Sequence, residues 1–282
     1  MEKHVAVERS IYKKYRKEIW KRFIAGVNEY EMIRPGDKIA VCISGGKDSM
    51  LLAKCMQHLQ KFSDFPFSCE YMVLNPGYNE ENLNRIRENA AMLDVPIHIF
   101  DAKIFDYVVD VEQSPCYLCA RMRRGHLYKN AKALGCNKIA LGHHFDDVIE
   151  TILLSMIYGA EIKTMMPKLH STNFPGMELI RPLYMVREND IKAWVRYNDL
   201  QFLQCACRFE EQCAKEGVSK EQTSKRKEMK ALIASFRSIN ANIEMNIFRS
   251  VENVNLETVI GYHKGDKRYH FLDDYDAEGP SM

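Results

Sequence analysis

Lys38-Ile-Ala-Val-Cys-Ile-Ser-Gly-Gly-Lys-Asp-Ser-Met-Leu-Leu52 decides the architecture of this chain. Lys38 to Ile43 is a short, continuous apolar run, the pattern of a strand buried on both faces of a parallel sheet. Met50, Leu51, Leu52, Cys55, Met56 and Leu59 then recur at helical spacing. Ser44-Gly45-Gly46-Lys47-Asp48-Ser49 lies between them as a strand-to-helix turn. Its two glycines let the backbone bend sharply, so successive N–H groups point at one spot. The helix N-terminus adds the positive end of its dipole, Lys47 a full charge, and Ser44 and Ser49 hydroxyl donors. The ligand this predicts is phosphate. The spacing is not that of the Walker loop, which places four residues between its first Gly and Gly-Lys-Ser/Thr.

Upstream, Ile11, Tyr15, Ile19, Phe23, Val27 and Tyr30 form the stripe of an amphipathic helix, ended by the turn Arg34-Pro35-Gly36-Asp37. Downstream, strands are predicted at 69–74, 97–100 and 138–141, with helices at 80–93, 121–134 and 147–158. This alternation means an α/β fold, an open parallel sheet with helices on both faces. Ligands of such sheets bind beyond the carboxyl ends of the strands, here the loops after Ile43, Leu74 and Leu141. Residues 159–176 break the pattern. Helices follow near 188–197 and 219–237, and there is no internal repeat. The expected organisation is an N-terminal basic amphipathic helix (1–35), a nucleotide-binding catalytic domain carrying a metal site (36–215), and a C-terminal helical extension with an acidic tail (216–282).

At 282 residues, 46% hydrophobic and 28% charged, the chain has the make-up of an ordinary globular protein. No apolar run approaches the roughly 20 residues that span a bilayer. The start, Met-Glu-Lys-His-Val, lacks a signal-peptide core, so no membrane and a cytoplasmic location are expected. The net charge of +2 is unevenly spread: Met1 to Val27 holds eight Lys/Arg against three Asp/Glu, and the end from Asp273 holds four acids and no base. The basic front suits a polyanion such as RNA, or is simply a solvated helix face.

Nine cysteines without an export signal point to metal or redox chemistry rather than disulfides. Cys42 and Cys69 sit in strand-like runs and Cys55 on a helix stripe, where packing accounts for them. Cys116, Cys119, Cys205, Cys207 and Cys213 lie beside turns or polar stretches. Cys116-Tyr-Leu-Cys119 alone fits a zinc half-site, a redox pair or a cluster half-site. Zinc would want two further ligands. Three thiolates on a [4Fe–4S] cluster would leave one iron open for a small ligand. Both readings stand on the residues alone.

Gly142-His143-His144-Phe145-Asp146-Asp147 leaves the strand at Leu141 and opens a helix. Its two adjacent carboxylates suit Mg²⁺ held together with nucleotide phosphates. One of them has a structural explanation as an N-cap.

Ser44-Gly-Gly-x-Asp-Ser after the first strand resembles the PP-loop ATP pyrophosphatase superfamily. Gly142-His-x-x-Asp-Asp resembles the companion motif of its tRNA-modifying branch. Pro115-Cys-x-x-Cys followed by Arg121-x-Arg123-Arg124-Gly125 is similar to the tRNA 2-thiocytidine synthetase (TtcA) family. So are Tyr158-Gly159, Met166-Pro167-Lys168, Ile180-Arg181-Pro182-Leu183 and Arg187-Glu188-x-Asp190-Ile191. The likeness runs from about Gly36 to Cys205 and, more weakly, through Asn246-Ile-Phe248. It implies ATP as co-substrate on Ser44, Gly45, Gly46, Lys47, Asp48, Ser49, Gly142 and His143. Lys47, Asp48, Asp146 and Asp147 are the implied catalytic residues, with Mg²⁺ near Asp146 and Asp147. It further implies a [4Fe–4S] cluster on Cys116, Cys119 and a later cysteine. Counting forward from Arg181-Pro182-Leu183 lands on Cys205. The later site departs from the family: Cys205-Ala-Cys207 precedes a charged insertion containing Cys213, so Cys207 rivals Cys205.

The activity implied is sulfur transfer to a tRNA cytidine through an adenylated base, with sulfur from a cysteine desulfurase or free sulfide. An alternative keeps the ATP chemistry with another RNA base or a small molecule as acceptor. An alternative from another class is a metal-stabilised RNA-binding protein without catalysis. Arg121, Arg123 and Arg124, with Lys163 and Lys168, are candidate phosphate contacts or plain surface residues. Tyr117 and Phe145 are candidates to receive an unstacked base, or core. Assembly as a homodimer rests only on how common homodimers are.

Overall fold

The computed structural model describes residues 2–108, 115–203 and 221–275. At its centre β1 (Lys38–Ile43) pairs in parallel with β2 (Ser68–Asn75) on one side and β4 (Lys138–Ala140) on the other. Next to β2 lies β3 (Ile97–Asp101), and next to β4 lies β6 (Glu178–Ile180), both parallel. An antiparallel edge strand, β5 (Lys168–His170), completes the six-stranded sheet in the order β3-β2-β1-β4-β6-β5. The four strands expected from the sequence are all present. β5 and β6 were not foreseen: each has three residues, as β4 has, but no helix lies between them to mark the strand–helix alternation that revealed β4.

Both faces of β1 are apolar. Ile39, Val41 and Ile43 enter one core with α3 (Lys47–Phe62), α4 (Glu80–Met92), α7 (Phe145–Gly159) and α8 (Glu188–Tyr197). Ala40 and Cys42 enter a second core, under Tyr128 and Ala131 of α6 (Pro115–Ala133). A short helix, α5 (Ile104–Val108), extends the cover on that side, where Ile104 and Phe105 pack with Leu74 and Cys119. Cys42 and Cys55 are buried as expected and Cys69 is partly so; all three are free thiols.

The N-terminal stripe folds differently from the single helix expected. It forms α1 (Lys3–Tyr12), a π turn (Arg16–Trp20) and α2 (Lys21–Glu29). A strict four-residue repeat drifts about 40° per step around an ideal α-helix. From Ile11 to Val27 it would wander off the core. Wide i→i−5 bonds, Tyr15 N–H to Ser10 O (2.9 Å) and Trp20 N–H to Tyr15 O (3.2 Å), absorb the excess. Ile11, Ile19, Phe23 and Val27 are consequently all buried.

Two C-terminal helices, α9 (Glu221–Ile239) and α10 (Ile243–Ser250), lie against α7. Met229, Ile233 and Phe248 join the first core. A hairpin of β7 (Gly261–Lys264) and β8 (Lys267–His270) follows, which the periodicity missed although Gly265-Asp266 is a two-residue hairpin turn signal. Among the described residues no helix is long and apolar enough to cross a membrane.

Candidate active site

The carboxyl ends of β1, β2 and β4 open into a cavity of about 290 Å³. Ile43, Leu74 and Leu141, the strand ends singled out above, all line it. So do Ser44, Asp48, Ser49, Gly142, His143 and Asp147.

The first loop is held in shape by its own side chains. Ser44 N–H donates to Ser49 Oγ (3.2 Å), and Ser49 Oγ donates to Gly46 O (2.9 Å). Gly46 is the N-cap of α3, which aims the helix N-terminus at the cavity. Gly45 has φ +84°, and a Cβ there would stand 2.7 Å from Ile86 Cγ1, so a side chain is excluded on both counts. The two loops touch: a Cβ on Gly142 would approach Asp48 C and Ser49 N to 3.1 Å. That contact is why glycine opens the second loop.

Lys47 Nζ lies 3.1 Å from both Asp48 Oδ2 and Glu188 Oε1. Burial works against its charge, but the two carboxylates outweigh it and raise its pKa. Burial would likewise raise the Glu188 carboxyl, yet Lys192 and Lys47 hold it down to about 2. Both groups are therefore charged at neutral pH.

Three polar atoms around the cavity are buried with no hydrogen-bond partner among the described residues: Asp48 Oδ1, His143 Nδ1 and Arg123 Nε. A buried unpaired polar atom costs about 1–3 kcal/mol. Three converging on one cavity mark where a polar ligand completes the structure. Burial, reinforced by Arg181, lowers the His143 pKa to about 4, so the imidazole is neutral. Arg123 lines the cavity, with its guanidinium 5.5 Å from the Phe105 ring centroid. Of the three arginines after the C-x-x-C, Arg123 faces inward, whereas Arg121 and Arg124 are exposed.

Asp146 and Asp147 part company. The Asp146 carboxylate accepts from Glu188 N–H (2.7 Å) and from Arg237 Nη2 (2.8 Å), so both its oxygens are engaged away from the cavity. Asp147 lines the cavity and accepts from His144 N–H (3.0 Å), while His144 caps α7 in return. His144 Nε2 stands 3.8 Å from Asp48 Oδ1. Glu188, His144 and Arg237 are thus neighbours of the site that the motifs did not single out by role, and of the candidate phosphate contacts Arg123 is the one that lines the cavity. Phe145 is core, stacked on Phe248 at 4.8 Å. Lys163 pairs with Glu161, and Lys168 donates to Glu31 O.

Of the cysteines, Cys119 is buried on α6 beside Leu74 and Phe105. Cys116 lies one turn earlier on the same helix, but its side chain is outside the described residues, as are Cys205, Cys207 and Cys213 altogether. Two features among the described residues accord with the implied iron–sulfur cluster. Cys119 offers a thiol in an apolar shelter next to the cavity. Leu203, two residues before Cys205, donates its N–H to Gly45 O at 3.2 Å, which ties the approach to the later cysteines to the phosphate loop.

A family model described as a PP-loop domain matches residues 13–212. A tRNA-cytidine(32) 2-sulfurtransferase of Neisseria meningitidis serogroup A is 40% identical over 185 residues, which cover 64% of this chain and 57% of that protein. The chain thus spans little more than half the length of the Neisseria relatives it matches. The protein of that name in Janthinobacterium sp. (strain Marseille) is 32% identical over 282 residues, 98% of this chain and 83% of its own. Among solved structures, the U34-tRNA thiolase NcsA from Methanococcus maripaludis with its [4Fe-4S] cluster superposes with a TM-score of 0.64 at 19% identity. That match covers 88% of this chain and 84% of NcsA, and it speaks to the fold. With both motif loops meeting at one cavity and the match extending through them, this chain belongs to the PP-loop family, in the branch of the tRNA 2-thiocytidine synthetases.

Proposed function

We propose that this protein is an ATP-dependent tRNA sulfurtransferase that converts a cytidine to 2-thiocytidine. The observation that carries the proposal is the convergence of Asp48 Oδ1, His143 Nδ1 and Arg123 Nε on the cavity above the phosphate loop. The helix bearing the C-x-x-C forms one wall of that same cavity through Arg123 and Leu127.

ATP binds with its phosphates on the 44–49 loop and the N-terminus of α3. Asp48 and Asp147, the two carboxylates that line the cavity, would hold Mg²⁺ beside the phosphates. Asp146 serves instead as a structural tie to Arg237. The C2 oxygen of the cytidine attacks the α-phosphate and pyrophosphate leaves, which turns the oxygen into a leaving group. Hydrosulfide then adds to C2, the C2–O bond breaks, and AMP departs with the oxygen. Lys47 and Arg123 offset charge that builds on the phosphates. Neutral His143 can hydrogen-bond the nucleotide without adding charge. A [4Fe–4S] cluster on Cys116, Cys119 and Cys205 or Cys207 would supply an iron with a free position for sulfide. Sulfide is taken from solution, or is released from the persulfide of a cysteine desulfurase by a thiol that supplies the two electrons.

The experiment is purification without oxygen, followed by iron and sulfide analysis and a thiolation assay on tRNA. About four iron per chain is expected. Cys119→Ser should lose the iron and the thiolation yet keep ATP binding. Thiolation by protein free of iron would overturn the cluster. Pyrophosphate release with no thiolated RNA under any condition would overturn the activity.

A further inference from the structure

Across α6 from the ATP cavity lies a second cleft, of about 470 Å³, between that helix and the turn that joins β5 to β6. Arg121, Arg124 and Gly125 form its helix side, and His170, Thr172 and Asn173 form the other. No acidic side chain among the described residues lines it. Glu178 lies 3.7 Å behind His170 but is committed to Lys138 at 2.9 Å. The opposite wall is built rather than loose. Ser171 N–H donates to Met177 O (2.9 Å), Phe174 N–H to Ser171 Oγ (3.2 Å), and Phe174 stacks on Tyr128 with centroids 5.1 Å apart.

Gly125 is the second observation. It sits inside a 19-residue helix, where glycine is worse than alanine for stability. Its φ is not in the left-handed region, and a Cβ there would meet nothing within 4 Å. Neither backbone conformation nor internal packing calls for glycine. The bare surface it leaves lies in the cleft, next to Arg124 and one turn after Arg121. A helix glycine facing open space beside two arginines admits close approach by the backbone of another molecule.

Resting on the proposed function, we propose that this cleft binds the RNA phosphodiester backbone next to the target base. Arg121 and Arg124, one helical turn apart and about 5–6 Å at Cβ, meet neighbouring phosphates of one strand. Thr172 and Asn173 donate from the other wall, and Gly125 lets the strand settle against α6. The position suits the chemistry. The cleft and the ATP cavity are separated by the width of one helix, about 10 Å, so a strand held here can turn a base out toward Arg123.

The test measures binding of an unmodified tRNA transcript with cytidine at position 32 to the full chain, alongside ATP binding. Gly125→Glu places a carboxylate in open space, and Arg121→Gln with Arg124→Gln removes both cations. Each should weaken tRNA binding by roughly tenfold or more, and the double variant should flatten the salt dependence by about one to two units of slope. ATP affinity should not change. Gly125→Ala should melt no lower than the parent, which shows that the position tolerates a side chain. Parental tRNA affinity in both charge variants overturns the proposal, and so does an equal loss of ATP affinity. Binding needs no sulfur transfer, so the two ideas fail separately. A chain that binds tRNA through the cleft but thiolates nothing defeats only the function; one that thiolates with the cleft variants unimpaired defeats only the cleft.

Discussion

His143 shows how one side chain's surroundings set its chemistry. A histidine in a Gly-His-His loop reads as a candidate acid, base or ligand, but burial beside Arg181 pulls its pKa to about 4. The unfolded chain takes up that proton near 6.5. Between these values the unfolded state binds more protons than the folded one, so this residue makes stability fall as pH drops from 6.5 toward 4. The loss is worth up to about 3 kcal/mol. Glu188 acts lower: its stabilisation is complete above its ordinary pKa near 4.5 and is lost as pH falls toward 2. His143→Gln is therefore expected to flatten the urea midpoint between pH 4.5 and 6.5 while leaving the steeper fall below pH 4.5. An unchanged profile would mean that His143 is solvated rather than buried.

At the scale of elements, the start of α7 divides two adjacent aspartates between two tasks. Asp146 ties α7 to α9 through Arg237, and Arg237 Nε in turn bonds Glu244 of α10. Glu244 also takes Arg187, whose guanidinium lies 4.7 Å from the Phe145 centroid. Arg237 keeps Glu244 when this pair is broken, so Asp146→Asn should cost about 2 kcal/mol in unfolding free energy, the worth of a hydrogen bond to a charged group. Asp147→Asn gives up a capping contact worth about 1 kcal/mol but should lower pyrophosphate release by roughly a hundredfold. Denaturation and turnover measured on both variants separate the roles. Equal destabilisation by the two would sink this division. The motif pointed to both carboxylates alike; that they face different ways was hidden, because Arg237 is 91 residues away in the chain.

For the whole molecule, the family match ends at residue 212, yet the core does not. Phe248 packs on Phe145 and Tyr184, and Glu244 pairs with two arginines beside the site. A chain ending at Ile239 should lose about 3–5 kcal/mol, the cost of stripping a large aromatic from a core. That is a large part of the roughly 5–15 kcal/mol that holds a domain together. Its thermal midpoint and its pyrophosphate release should fall together. A truncated protein with full stability and turnover would show that the C-terminal helices are an accessory.

What the sequence determined by itself was whatever depends on short range: β1, the turn at 44–49, α3, the alternation that makes the sheet, and both motif loops. Each is written in contiguous residues whose spacing matches a backbone period or whose glycines answer to a local bend. The cavity's position followed as well, since ligands collect at the carboxyl ends of parallel strands. Tertiary structure decided the rest. It turned Arg123 inward and Arg121 and Arg124 outward, gave Lys47 its partner Glu188, split Asp146 from Asp147, and inserted a π turn that keeps the N-terminal stripe on the core. It also formed β5 and β6, short strands with no helix between them to mark an alternation. In each case the deciding partner is distant in sequence, and burial, which sets pKa values and the cost of unpaired charge, exists only once those distant segments have met.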